Sequence, residues 1–267
     1  FNFFFNHYLM NQIKVSIITV CFNSEKTLLE TINSVKYQSY ENIEYIIIDG
    51  LSSDDTLSII KDNKEVVDYY VSEKDDGLYD AMNKGIELAT GDIISILNSD
   101  DIYASNEVIA NIIEVYSNDK SLDIVFGNII FYDSNLIEQT RSWKTSKFIK
   151  KSFMKGWHPP HPGMFVTKRG YNICGVYNIN YRMCADFEFM LRAFEKNSLS
   201  NKFIDLTIVK MRTGGKTTSS LINIFDGNNQ IIHAFKENNL KINPLVYLLR
   251  RLVPKAYNLI INKFKVE

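Results

Sequence analysis

Over the first hundred residues, apolar positions fall in short blocks whose internal spacing alternates between two periods. "KVSIITVCF" (14–22) is a β-branched run too short for a helix and reads as a buried strand. In the next block, "SEKTLLETINSVKYQS", Leu28, Leu29, Ile32 and Val35 stand at helical spacing. "IEYIIID" (43–49) is a second strand, and "SSDDTLSII" opens a helix in which Ser52 and Asp55 fit a capping box. "VDYYVSE" (67–73) reads as a third strand and "DGLYDAMNKGIELAT" (76–90) as a helix with Gly91 as its C-terminal cap. "DIISIL" (92–97) is a fourth strand. Strands alternating with helices predict a parallel sheet covered on both faces.

The rhythm changes after residue 105. "SNEVIANIIEVYS" predicts a helix, and "DIVFGNIIFY" (123–132) a strand antiparallel to a neighbour. "GWHPPHPGMFV" (156–166) is too irregular for a helix, "DFEFMLRAFEK" (186–196) is helical, and "TGGKTTSS" (213–220) is a loop. With no linker or repeat, the pattern predicts one domain with a nucleotide-binding-like half and a mixed half. The stretch "KINPLVYLLRRLVPKAYNLIINKFK" (241–265) differs, with six basic residues and no acid. Leu245, Leu248, Leu252, Ala256, Leu259 and Ile260 share one helical face, Arg250, Arg251 and Lys255 lie off it, and Pro254 kinks it. Two readings stand: an interfacial membrane helix, or a helix docked on the domain with its basic residues solvated.

Composition narrows the class. The chain has 267 residues, 45% hydrophobic and 23% charged, as in ordinary globular proteins. A net charge of −1 argues against a general nucleic-acid binder. Three cysteines, Cys21, Cys174 and Cys184, form no CxxC pair, so neither a disulfide framework nor a zinc site is implied and a reducing compartment is expected. "FNFFFNHYLM" lacks the basic region of a signal peptide, and Met10 reads as a natural start. No uncharged run reaches the ~18 residues of a spanning helix. The expectation is a cytoplasmic protein, peripheral at the inner face of the plasma membrane where the tail acts as an interfacial helix.

In open α/β sheets ligands bind beyond the carboxyl ends of the strands, and "CFNSE", "DGLSSDD" and "NSDD" fall at such ends. There Asp49 can accept a hydrogen bond from a nucleobase N–H or a ribose hydroxyl, or merely cap a loop. An aspartyl-nucleophile phosphatase would carry an acid where Leu51 stands, and a dinucleotide site would carry GxGxxG where "CFNSEK" stands. "ILNSDD" (96–101) ends an apolar run in two adjacent carboxylates, which repel each other unless a cation faces them. Mg²⁺ takes one or two protein carboxylates and fills its shell with water and phosphate, so the pair suits a metal-bridged diphosphate. Alternatively it caps the helix that starts near Asn106. Asp186 opens a predicted helix, where it is either an N-cap or the acceptor of a proton from an attacking hydroxyl. Glu188, two residues on, points elsewhere. His158 and His161 are loop residues or a metal pair, and Trp157 and Tyr79 are core aromatics or sugar platforms.

In order and spacing, "SIITVCFN", "IEYIIIDGLSSDDT", "DGLYDAMNKGIELATGDIISILNSDD" and "CADFEFMLR" resemble the family-two glycosyltransferases with the GT-A fold. The resemblance runs from about Lys14 to Ser220 and is nearest to bacterial enzymes of surface-polysaccharide biosynthesis, those of O-antigen, capsule and lipopolysaccharide. It implies an α/β GT-A domain over 10–220, with a Rossmann-like nucleotide-sugar-binding half (10–105), an acceptor-binding half (106–220), a mixed central sheet and a helical tail (221–267). It also implies a nucleotide-sugar donor such as a UDP-sugar, a divalent metal (Mn²⁺ or Mg²⁺), inversion at the anomeric carbon, and a glycan or lipid-linked oligosaccharide acceptor.

Carried over by position, Thr19, Phe22 and Asn23 line the nucleotide pocket, Asp49 contacts the base and Asn83 the donor. Asn98, Ser99 and Asp100 fill the place of the family's DxD motif, with Asp100 as metal ligand and Asp101 supporting the turn or the donor. Lys216 meets phosphate, Asp186 is the catalytic base, and His161 and Trp157 line the acceptor pocket. Two positions depart from the family: Asn98 replaces the first acid, and Met82 stands where many relatives carry a basic residue, shifting the diphosphate onto the metal, Lys84 or the 213–220 loop. Two other classes stay open. A GT-A-like nucleotidyltransferase usually has a Gly- and basic-rich loop after the first strand, absent here. An inactive sugar-nucleotide-binding scaffold subunit is compatible with Asn98.

Overall fold

Every residue of the first strand, Val15–Cys21 (β1), is buried, because it lies between two parallel neighbours and under helices on both sheet faces. The computed structural model describes residues 12–213 and 221–250, the side chains of 221–224 excepted. Lys216 and the tail beyond Arg250 lie outside the described residues. Helix Leu28–Lys36 (α1) leads to Ile43–Asp49 (β2), Thr56–Asp62 (α2) to Tyr69–Ser72 (β3), and Leu78–Leu88 (α3) to Ile93–Ile96 (β4). These strands form a parallel sheet in the order β3-β2-β1-β4. Register pairs Val15 with Ile43 and Cys21 with Asp49, so β1 and β2 end flush.

The later elements are Ile102–Tyr103 (β5), Val108–Asn118 (α4), Ile124–Tyr132 (β6), Gln139–Trp143 (β7), Met164–Thr167 (β8), Lys168–Cys174 (α5), Ala185–Leu191 (α6), Asn201–Arg212 (β9) and Leu221–Glu237 (α7). They extend the same sheet as β4-β8-β6-β9-β5, with β7 on β6. As expected, β6 is antiparallel to neighbours, β7 and β8, but it also runs parallel to β9. The sheet is therefore mixed and continuous through both halves. One face packs Ile18, Val20, Ile46 and Ile48 against α3, α5, α6 and α7. The other packs Ile17, Tyr45 and Ile47 against α1, α2 and α4.

Several local expectations are corrected. No capping box forms at α2: Asp55 is its N-cap without a side-chain bond, and Ser52 turns back to Asp49. Gly91 caps nothing. Helix α3 ends at Ala89 in extended geometry, and a Cβ on Gly91 would lie 2.6–2.8 Å from Ser16 Oγ, Ser16 N and Lys14 O. The glycine is there because two backbones touch. The pair Asp100–Asp101 does not cap α4, whose N-cap is Glu107. Helix α6 continues into a π turn, Arg192–Lys196.

Beside Gly91 sits a buried ionic knot. Glu44 accepts hydrogen bonds from Ser16 Oγ (2.5 Å), Thr90 Oγ1 (2.5 Å), Thr90 N (2.8 Å) and Lys14 Nζ (2.8 Å). Burial pushes the Glu44 carboxyl up, but these bonds outweigh it and hold it at about 2. A carboxyl depressed on folding stabilises above its unfolded value, and the gain is lost as pH falls through the folded value. Glu44→Gln should therefore cost about 2 kcal/mol at neutral pH. In urea melts at a series of pH values, the gap between the two proteins should close as pH drops from 4.5 toward 2.

At the far end, residues 244–250 are helical. Tyr247 is buried against Phe235, with ring centroids 5.1 Å apart, and Leu248 packs on the core. Leu245, Val246 and Leu249 are exposed, so of the predicted stripe Leu248 is docked and Leu245 is not, and its remaining members lie outside the described residues. Among the described residues no helix is long and apolar enough to cross a membrane.

Candidate active site

The flush ends of β1 and β2 carry the first group of polar rim residues. Asp49 is fully buried. It accepts Ser52 Oγ at 2.5 Å and Ser72 Oγ at 2.6 Å, which ties the β2–α2 loop to β3. Burial and the Asp49 charge push the Cys21 thiol well up, leaving it protonated and inert. Asn23 N donates to Ser52 Oγ (2.8 Å) and Asn23 Oδ1 accepts from Ser53 N (2.9 Å). Asn23 and Leu51 have φ of 51° and 61°, a left-handed geometry that clusters at functional sites.

Phe22 is 54% exposed. A Cβ on Gly50 would come 2.5 Å from Asp75 Oδ2 and 3.5 Å from the Phe22 ring. An aromatic ring, a bare backbone and a carboxylate thus lie side by side at the strand ends. Asp75 was not anticipated from the sequence, where only the acid pair of "EKDDG" hinted at it. Thr19 corrects the expectation placed on it. It is fully buried and its Oγ1 lies 3.0 Å from Tyr45 Oη, because its side of the β1 pleat faces covering helices rather than the rim.

The third rim segment is a tight turn. Asp101 N donates to Asn98 O (3.1 Å), Asn98 Nδ2 to Asp101 Oδ2 (2.9 Å), and Thr31 Oγ1 to Asp101 O (2.8 Å). Ser99 Oγ meets Ser24 Oγ at 2.9 Å. Arg212, at the end of β9, donates to Asp100 O at 2.6 Å. Burial raises the Asp100 carboxyl. Burial and the Asp100 charge raise that of Asp101 well above the usual range, with Asn98 and Arg212 pulling it back. Asp101 has no exposed surface, whereas Asp100 is only half-buried. Among the described residues, Asn98 Oδ1 is buried without a hydrogen-bond partner.

One partly open carboxylate fits a hard cation shared with phosphate oxygens. Among the described residues no group of three or more His, Cys, Asp or Glu side chains would cage a metal unaided.

The opposing side comes from α6 and the segment before β8. Asp186 lies in the first turn of α6 behind the N-cap Cys184, so it is not the cap. Its Oδ1 accepts the Tyr79 hydroxyl at 2.9 Å. Glu188 is buried and bonded to Arg192 Nε (2.7 Å) and Asn238 Nδ2 (3.1 Å), which removes it as a competitor. Asn83, expected on the donor, instead holds the Tyr177 backbone through two bonds of 2.8 and 2.9 Å. His161 Nε2 lies 2.6 Å from Tyr177 Oη. Burial holds the imidazole below its ordinary value, and the Asp186 charge opposes this.

Trp157 sits among Phe126, Phe148, Phe153 and Phe194, and its indole donates to Ser146 Oγ (3.1 Å). That is a core role, unlike the acceptor contact expected. His158 Nδ1 lies 3.1 Å from Pro159 O, and its ring packs edge-on against Phe187. Lys84 is held by Glu73 (2.7 Å) and Asp80 (3.4 Å), so it is already neutralised.

Comparison with known proteins gives one consistent picture. The model for glycosyl transferase family 2 matches residues 16–174. An uncharacterized glycosyltransferase of Mycobacterium tuberculosis is 34% identical over 181 residues, covering 67% of this chain and 68% of that protein. Staphylococcus aureus TarS 1–349, solved with UDP-GlcNAc, aligns with a TM-score of 0.67 at 16% identity over 90% of this chain and 70% of its own. The mannosyltransferase PcManGT of Pyrobaculum calidifontis, solved with GDP-Man and Mn²⁺, aligns with a TM-score of 0.63 at 15% identity over 92% and 69%. At such identities these two structures establish the α/β GT-A fold and no more.

Proposed function

Because the chain belongs to glycosyl transferase family 2, we propose that it moves a sugar from a nucleoside-diphosphate donor to a hydroxyl of a glycan or lipid-linked acceptor, with inversion. The observation that carries this reading is the half-buried Asp186 carboxylate, contributed by the acceptor half and bonded to Tyr79 of the donor half. A free carboxylate oxygen there takes the acceptor proton while the acceptor oxygen attacks the anomeric carbon. The bond from that carbon to the diphosphate breaks on the opposite face, so a single displacement inverts the configuration.

Phe22, Gly50 and Asp75 receive the nucleobase, with Asp49 holding their loop in place. Asn98 faces the ribose, and Ser99 braces the turn through Ser24. Asp100 would hold a divalent cation, which when bound neutralises charge on the leaving diphosphate. His161 borders the acceptor, and Lys216 is assigned to the phosphates. The ligands in the TarS and PcManGT structures support a nucleotide-sugar donor and a divalent cation. Exposed Leu245, Val246 and Leu249, near Lys241 and Arg250, support a peripheral seat on the cytoplasmic membrane surface.

A thermal-shift panel of UDP-, GDP-, dTDP- and CMP-sugars, with and without Mn²⁺, tests the reading. Ligand at ~100 Kd stabilises by about 2.7 kcal/mol. One nucleotide class should raise the midpoint, more with Mn²⁺, and Asp100→Ala should lose the Mn²⁺-dependent part. A folded protein stabilised by none of them would retire the donor site.

A further inference from the structure

Helix α3 is anchored from two sides. A Cβ on Gly85 would lie 2.4 Å from Ile18 Cγ2, so the helix is seated directly on β1. Asn83 clamps the Tyr177 backbone from below the acceptor side. Tyr79 stands four positions before Asn83 and therefore on the same helix face. Its ring is 8% exposed and packs on Tyr177 with centroids 5.8 Å apart. Burial and the nearby Asp186 charge push its phenol well above the ordinary range, so the hydroxyl stays a donor. Among the described residues, the Tyr79 hydroxyl is the donor that reaches the Asp186 carboxylate, and it does so through Oδ1 alone.

We propose that Tyr79 is the positioning residue for Asp186: it holds Oδ1 and thereby aims Oδ2 at the acceptor hydroxyl. A base is effective only when it is held within hydrogen-bond reach of the proton it takes, and a short side chain in the first turn of a helix has rotamers to choose from. A hydroxyl on a rigid element selects one of them. The inference rests on the reading of Asp186 as the base. It adds that the donor-half helix sets the acceptor-half chemistry through one hydrogen bond spanning 107 positions of sequence.

The test compares the parent, Tyr79→Phe, Asp186→Asn and the double variant. Turnover is read as release of UDP from UDP-GlcNAc or GDP from GDP-mannose, and melting midpoints are read on the same four proteins. Tyr79→Phe keeps the ring and should lower kcat about tenfold with donor KM unchanged. In the Asp186→Asn background the same change should cost less than about twofold, since there is no base left to aim. Melting midpoints near the parent's should show that all the variants are folded. An unchanged kcat in Tyr79→Phe, or an equal loss in both backgrounds, would overturn the proposal while leaving the base assignment standing. Parent-like turnover in Asp186→Asn would instead overturn the base assignment, and this inference with it.

Discussion

Replacing Asp186 with Asn should lower kcat by about 10²–10⁴-fold and leave nucleotide-sugar affinity unchanged. Asparagine has nearly the same shape, and its carbonyl oxygen still accepts the Tyr79 hydroxyl that the aspartate accepts at 2.9 Å. What disappears is the capacity to take a proton. The side chain lies in the first turn of α6, apart from the Phe22, Gly50 and Asp75 group proposed to receive the nucleobase. Binding and chemistry should therefore separate. KM equals Kd only when chemistry is slow relative to release, so affinity is measured directly by titration and kcat by single turnover. Loss of affinity in step with kcat would move Asp186 into the donor site. An unchanged kcat would place the base elsewhere, whereas a parent protein that binds sugar nucleotides without turnover would favour a scaffold subunit.

The largest expected effect on folding is that of Gly91→Ala, at about 3 kcal/mol or more. The added methyl would meet Ser16 N at 2.7 Å and Lys14 O at 2.8 Å, both backbone atoms. Ser16 belongs to a strand paired on both sides, to β2 and to β4, so it has no direction in which to yield. Gly91 N also donates to Ser16 Oγ (2.9 Å), which in turn donates to Glu44. Displacing the glycine therefore loosens the ionic knot as well. A glycine that merely capped α3 would cost about 1 kcal/mol on replacement. Urea melts of Gly91→Ala distinguish the two: a loss near the smaller figure would return Gly91 to the capping role expected from its place after a helix.

Residues that the sequence placed well share a physical trait. The strands through β4 were legible because apolar blocks and their period are set by near neighbours in the chain. The polar turn "NSDD" was legible because it closes a buried strand, but not that Asp101 is buried while Asp100 is partly open. The same local logic misjudged Thr19, next to the polar end of β1, because it could not tell which way the pleat faces.

The amino-acid order by itself determined the alternation of strand and helix and the three polar strand ends. Each depends on spacings within a few residues. Only the tertiary structure decided that β8, β6, β9 and β5 complete the sheet, that Asp75 lies over Gly50, that Asn83 serves Tyr177, and that Trp157 belongs to an aromatic core. It alone brought Tyr79 to Asp186. These contacts join residues far apart in the chain, and their geometry follows from strand register and helix docking, which no local period encodes.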